Sequence, residues 1–446
     1  MNAIDAIAAQ LQGYDPQAMT ADGVRDFLAR LVAPVQDAIE LPLFEALGHV
    51  LAADVVSPFD VPPHDNSAMD GFALSGAELA LDSALELRIV GTALAGKAWQ
   101  GTVQRGQCVK IMTGAVMPAG LDTVVPQEFV QLRRTGEQET VTIPAGLLRL
   151  GDNRRLRGED LAQGQPALQK GELLTPARLG LAASLGLKTL TTWRPLRVAY
   201  FSTGDEILSL GEAPREGAVY DSNRYTVFGL LKRLGCAVID LGVVRDEPAL
   251  LEAAFTEAAR QADAIITSGG VSVGEADYTK AMMKKLGDVA FWRIAMRPGR
   301  PMAVGRISSI KLAPGARGAG ADSYQKESKG AVLFGLPGNP VAVMVTFLAF
   351  VRPALLQMMG ARPEPEVLLK ARSLEAIRKK PGRTEYQRGR VATAPDGSLH
   401  VKITGSQGSG VLRSMAEANG LIVLHHGQGN VAAGDEVDVM MFDGAI

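Results

Sequence analysis

Hydrophobic and polar positions follow three successive rhythms along this chain. From Thr20 to Leu31 (TADGVRDFLARL) and from Leu43 to Val55 (LFEALGHVLAADV) apolar residues recur at helical spacing, with Thr20 as an N-cap. Both stretches predict amphipathic helices ahead of the first compact unit. Between Leu85 and about Pro144 the pattern shortens to β-branched runs separated by glycines, which predicts a small β-rich unit. Thr175 to Leu185 reads as a short helix and Trp193-Arg194-Pro195 as a linker. From Leu196 the strand patterns LRVAYF, AVIDLGVV and DAIIT alternate with helical patterns at Asn223 to Leu234, ALLEAAFTEAARQ and YTKAMMKKL. Such alternation predicts parallel β-α-β units. The longest apolar run, Val341 to Val351, stops at Arg352-Pro353, short of a membrane span. Beyond Pro363 and Pro365, short alternating runs with turns such as Pro395-Asp396-Gly397 predict a small β-barrel.

Composition narrows the class. A length of 446 residues exceeds one hydrophobic core and suggests roughly three domains. Lys plus Arg (46) nearly balances Asp plus Glu (48), so neither nucleic acid nor a membrane surface is favoured as partner. Cys108 and Cys236 lie far apart without metal-type spacing, which points away from a disulfide framework and towards a reducing compartment. Asp5 comes early, with no basic segment and no long apolar segment, so the N-terminus does not read as a signal peptide. The expectation is a soluble, cytoplasmic protein.

Candidate chemistry gathers at loops. The stretch AIITSGGVSVGEADYTK (Ala264 to Lys280) is a buried-strand pattern followed by a glycine loop carrying Glu275 and Asp277. Glycines let backbone approach a ligand, and acids beside them suit a phosphate bridged by a cation; a capped turn is the plain alternative. Asp205 and Glu206 in STGDE, and Asp246, also follow strands. In a parallel sheet such ends share one edge, so these acids should converge on one crevice. Arg293, Arg297 and Arg300 lie on a strand and a Pro-Gly turn, where guanidinium forks suit oxyanions. The turn Leu336-Pro337-Gly338-Asn339-Pro340 offers backbone N–H groups at a helix start. Ser57 to Gly71 is Pro-rich and oxygen-rich and reads as loop, and RRLRGED (Arg154 to Asp160) as a solvated face or a phosphate contact. GTALAGKA (Gly91 to Ala98) nearly spells a P-loop, but Ala98 stands where a Mg²⁺-binding hydroxyl is needed, so a hairpin turn is expected. Ser308 to Gly330 reads as a loop insertion, and His425-His426 as strand packing.

DNSAMDG, IMTGA, RRLRGED, STGDE, SGGVSVGEADYTK, MRPGRP and LPGNP occur in this order, and together they closely resemble the molybdopterin molybdenumtransferase family, with the gephyrin E domain as eukaryotic counterpart. The resemblance implies an α/β and β multidomain protein. Its parts would be a segmented helical domain (1–56 and 156–190), an inserted β-rich domain (57–155), an α/β molybdopterin-binding domain (191–360) and a C-terminal β-barrel (361–446). It implies a homodimer with clefts shared between subunits. The implied reaction is Mg²⁺-dependent insertion of molybdate into adenylylated molybdopterin, with release of AMP. By motif match, Glu206, Asp246 and Asp277 would hold Mg²⁺, and Asp65 and Thr113 would join the catalytic set from the partner subunit. Ser202, Thr203, Gly204, Asp205, Ser268, Gly269, Gly270, Ser272 and Gly274 would bind substrate, as would Arg155 and Asp160. Arg293, Arg297 and Arg300, with Pro337, Gly338, Asn339 and Pro340, would receive the oxyanion. Many relatives carry lysine at those arginine positions, and serine where Ala342 stands here. The resemblance also implies as partners a molybdopterin adenylyltransferase and molybdoenzyme maturation proteins. Two rival readings are molybdopterin adenylyltransferase, usually the α/β domain alone, and a pterin-binding scaffold without catalysis.

Overall fold

The computed structural model describes residues 3–271, 278–308 and 330–442. Glu275, Asp277, Ser272, Gly274 and most of the Ser308 to Gly330 insertion lie outside them.

The core element is a six-stranded sheet in the order Ala237–Val244, Arg197–Thr203, Ala264–Ser268, Ala331–Leu336, Pro301–Ile307, Gly287–Arg293. The first four are mutually parallel, and Pro301–Ile307 runs antiparallel between Ala331–Leu336 and Gly287–Arg293. Two antiparallel steps restore direction, so Arg293 ends at the same edge as Thr203, Ser268 and Leu336. Ala264–Ser268 and Ala331–Leu336 are buried throughout, as continuous apolar runs in a two-faced sheet should be. Helix Pro248–Gln261 covers one face through Leu251, Phe255 and Ala258. On the other face lie helix Ser222–Arg233, capped by Asp221, and the helical rod from Pro340 to Met358.

The apolar run Val341 to Val351 ends at Arg352-Pro353, but the helix that carries it continues as Arg352–Met358, after a π-helical turn at Phe347–Val351. A wider turn before Pro353 relieves the clash and the missing N–H that would otherwise end a helix there. The rod is long and apolar enough to cross a membrane, yet 72% of its most apolar window is buried inside the protein, as befits a core helix.

Helices Ala3–Gln10 and Ala21–Leu31 also pack into this core: Val24, Phe27 and Leu28 meet Trp292 and Phe347, and Thr20 caps the second helix at Gly23 N–H. The helix expected from Leu43 to Val55 is absent. A single 3₁₀ turn at Leu43–Glu45 is followed by bridges from Val50 to Leu173 and Leu51 to Thr192, and by strand Val55–Val56. Gly48, at φ +77°, turns the chain out of any helix. Strand Ala38–Pro42 pairs with Thr189–Trp193, Val55–Val56 pairs with Pro166–Leu168, and with helix Pro176–Ser184 they enclose a separate small core.

Residues 71–143 build a second six-stranded sheet, from Gly71–Leu74 to Gln138–Ile143. GTALAGKA is a tight turn there, closed by a Leu94–Lys97 bridge after strand Leu85–Ala93. Asn66–Ser67 and Arg154–Arg155 form a short ladder, so neither flanking segment is wholly loop. The C-terminal part is a closed barrel of five strands: Thr384–Thr393 pairs with both Leu399–Ile403 and Gly420–Leu424, and Leu369–Ser373 and Glu436–Met441 complete the ring. His425 and His426 are exposed beyond a strand end rather than packed in it, and His425 Nε2 lies 2.6 Å from the Asp438 carboxylate. Cys108 and Cys236 are free and buried, and burial pushes both thiols up to about 12.

Candidate active site

The C-terminal strand edge of the α/β sheet carries a charge gradient. At its acidic end, Thr203 Oγ1 donates to Asp246 Oδ1 at 2.5 Å, Thr279 Oγ1 donates to the same oxygen at 3.4 Å, and Asp246 N–H donates to Asp205 Oδ1 at 3.3 Å. Asp205 and Asp246 therefore meet, as the strand-end argument required. Glu206 folds its carboxylate back over Gly204, where an added Cβ would sit 2.6 Å from Glu206 Oε2. Asp277 lies outside the described residues, and among these no three His, Cys, Asp or Glu side chains form a metal-binding group.

The middle of the edge is built by glycines. Gly269, at φ +94°, presses on Thr203, whose carbonyl oxygen would lie 2.4 Å from an added Cβ. Its N–H donates to Leu336 O at 3.2 Å, which ties the Ser268-Gly269-Gly270 loop to the start of the Pro337–Pro340 turn. Ser202 and Ser268 are buried (1% and 3% exposed) and hydrogen-bond the Tyr200 hydroxyl at 2.8 and 2.7 Å. They brace two strand ends, and burial holds the Tyr200 phenol above its ordinary pKa.

At the basic end, Arg297, Arg300 and the Pro337-Gly338-Asn339 turn line a cavity of about 580 Å³, with Ala342 in its wall. The barrel closes the other side with Arg383, Gln407, Gly408 and Ser409. Backbone pairing sets this junction: Met296–Arg297 forms a parallel pair with Thr384 and Glu385, Asn339 Nδ2 donates to Ser409 Oγ at 3.1 Å, and Val341 N–H donates to Ser409 O at 3.1 Å. Arg388, 1% exposed, supports the 406–408 loop by donating to the carbonyls of Ser406, Gln407 and Gly408. Burial first, and Arg297 second, push its guanidinium down to about 10. Arg383 pairs with Glu385 at 2.7 Å, whereas Arg297 and Arg300 have no ion-pair partner among the described residues. Two exposed, unpaired guanidinium groups in one concavity are suited to an oxyanion. Arg293 faces a neighbouring cavity rather than this one.

Arg383, Arg388, Gln407 and Ser409 were not singled out in the sequence. Each sits on an ordinary strand or loop of the barrel, and only long-range pairing, through the Met296–Arg297 ladder and the bonds to Ser409, brings that barrel to the crevice. Of four other candidates, Thr113, Asp65 and Arg155 lie in the inserted unit and Asp160 just after it. Thr113 N–H and Oγ1 donate to Asp70 Oδ1 at 2.6 and 2.7 Å, and these two bonds hold the Asp70 carboxyl below its usual range. Asp65 accepts from Arg157 N–H at 2.8 Å, Arg155 pairs with Asn66, and Asp160 N–H donates to Val61 O. Among the described residues none of these bonds reaches the α/β edge.

Three known domain families tile the chain. Residues 19–186 match the MoeA N-terminal region (domain I and II), residues 199–357 a probable molybdopterin binding domain, and residues 370–442 the MoeA C-terminal region (domain IV). A molybdopterin molybdenumtransferase of Haemophilus influenzae is 39% identical, covering 95% of this chain and 99% of its own. Another, from Nostoc sp., is 34% identical, covering 91% and 89%. Among solved structures, the molybdopterin biosynthesis moeA protein of Pyrococcus horikoshii OT3 superposes with a TM-score of 0.77 at 25% identity, covering 95% of this chain and all of that one. Fold, domain order and near full-length identity agree: this chain belongs to the molybdopterin molybdenumtransferase family, transferases of molybdenum cofactor biosynthesis.

Proposed function

We propose that this chain inserts molybdate into adenylylated molybdopterin and releases AMP, using Mg²⁺ at the acidic end of the edge and molybdate at the basic end. The polarity of that edge carries the proposal: Asp205 and Asp246 stand at one end, Arg297, Arg300 and Arg383 at the other, and a glycine-built floor lies between. A substrate with a phosphoanhydride and a dithiolene would lie along the floor, its anhydride towards the acids and its sulfurs towards the arginines. The donor set fits Mg²⁺, since every polar side-chain atom offered by Thr203, Asp205, Glu206 and Asp246 is oxygen. Asp246, with Glu206 and Asp277, would hold the ion, and when bound it would offset the charge on the anhydride. Thr203 and Thr279 fix the Asp246 rotamer through their hydroxyls. Arg297 and Arg300 orient the molybdate oxygens, and Gly338 and Asn339 bring backbone to the same anion. The acting form is a cytoplasmic homodimer in which the partner brings its Asp65 loop and Thr113 turn to this cleft.

Asp246→Asn removes a charge while keeping shape, so molybdate-dependent AMP release by the purified protein should fall by roughly 100-fold or more. The thermal unfolding midpoint should stay near wild type. Asp277→Asn should behave alike. Full turnover in both variants would overturn the Mg²⁺ assignment.

A further inference from the structure

Two cavities share a wall made by Arg300 and Arg383. The inner one is the oxyanion cavity described above. The outer one, of about 370 Å³, lies beyond the wall and adds Arg293, Lys380 and Gln17. Among the described residues no acidic side chain lines it, and Arg293, Arg300 and Lys380 have no ion-pair partner. Arg383 is already paired with Glu385, but the three unpaired cations Arg293, Arg300 and Lys380 around one concavity repel each other until a counter-charge is present.

The segments forming this cavity are far apart in sequence but zipped by backbone. Arg293 N–H donates to Pro16 O at 2.8 Å, Met19 N–H donates to Arg293 O at 3.1 Å, and Thr384 N–H donates to Ala295 O at 2.9 Å. Gly382 N–H donates to His426 O at 2.9 Å. The cations thus project from fixed backbone on two segments distant in sequence, 293–300 and 380–383, unlike a chance run of basic residues on one helix. On the shared wall Arg383 is held by Glu385, while the unpaired Arg300 guanidinium lines both cavities, so an anion crossing the wall stays beside a positive charge.

We infer that the outer cavity is a second binding site for a doubly charged tetrahedral oxyanion, a staging position from which the ion passes between Arg300 and Arg383 to the inner cavity. The inference rests on reading the inner cavity as the oxyanion site. Its occupant carries the same chemistry whether it is free molybdate or a phosphate group of the nucleotide product.

Equilibrium dialysis of the full-length protein against molybdate alone tests this. Wild type should bind two ions per chain. Lys380→Glu, which alters only the outer cavity, should bind one, and Arg297→Ala, which alters only the inner one, should also bind one. Saturating AMP that displaces the Lys380-dependent ion would identify a phosphate group as the natural occupant; a molybdate ion that persists would identify the free oxyanion. Either result supports the site. One ion per chain in wild type, or two in Lys380→Glu, would overturn it. Unchanged stoichiometry in Arg297→Ala would instead count against the inner cavity, so the two readings fail separately.

Discussion

Ala342 shows how much one missing hydroxyl can matter. It is 2% exposed, lies in the wall of the inner cavity on the first turn of the core helix, and stands where the motif resemblance leads one to expect serine. A serine there would place one more donor against the anion proposed to lie between the arginines. A hydrogen bond to a charged group contributes about 1.5 kcal/mol at the low end, or roughly tenfold in affinity. Ala342→Ser should therefore lower the molybdate concentration for half-maximal AMP release by about that factor. An unchanged dependence would show that the position does not touch the anion. At this scale the sequence was legible where chemistry sits in an unusual local string, as with Arg297 and Arg300 in the Pro-Gly turn, or Asp246 at a strand end. It was silent about Arg383 and Arg388. An arginine on a barrel strand looks like any solvated charge until the fold buries it, and Arg388 becomes a loop brace only because the 406–408 carbonyls converge on it.

At the scale of elements, the site depends on strand ends standing at fixed spacing, and Gly269 sets one of those spacings. Its φ of +94° already disfavours a side chain, and the Thr203 carbonyl occupies the space a Cβ would need. Gly269→Ala must push that carbonyl away, moving the Thr203 hydroxyl off Asp246. The expected cost is about 2–3 kcal/mol in denaturant unfolding, together with a loss of most AMP release. Gly211→Ala is the matched control: its φ is +93° with open space around it, so it should lose only about 1 kcal/mol and keep its activity. Equal losses in the two variants would show that backbone strain alone, not the contact with Thr203, is at stake. The alternating strands and helices from Leu196 onward were readable because period 2 and period 3.6 follow each other within short, clear segments. Leu43 to Val55 was misread for a physical reason. Leu43, Ala46, Leu47, Val50 and Leu51 do have helical spacing, but long-range pairing with Leu173 and Thr192 overrides local periodicity.

The whole chain raises the question of what Asp65 and Thr113 are for. They sit on loops of the inserted unit whose hydrogen bonds, among the described residues, stay within residues 57–165, although their strings belong to the same family signature as the α/β edge. If a second subunit brings these loops to the cleft, a defect in either place can be supplied by the other chain. Asp65→Asn alone and Asp246→Asn alone should each be nearly inactive. After unfolding and refolding an equal mixture, random pairing makes about half of the dimers mixed, and each mixed dimer holds one cleft with both defects and one with neither. Roughly a quarter of wild-type AMP release should then return. If each cleft were built from a single chain, the mixture would stay as inactive as its parts, because no pairing could unite an intact Asp65 with an intact Asp246. Recovery in the mixture, with none in either variant refolded alone, would therefore assign the inserted unit of one subunit to the catalytic edge of the other.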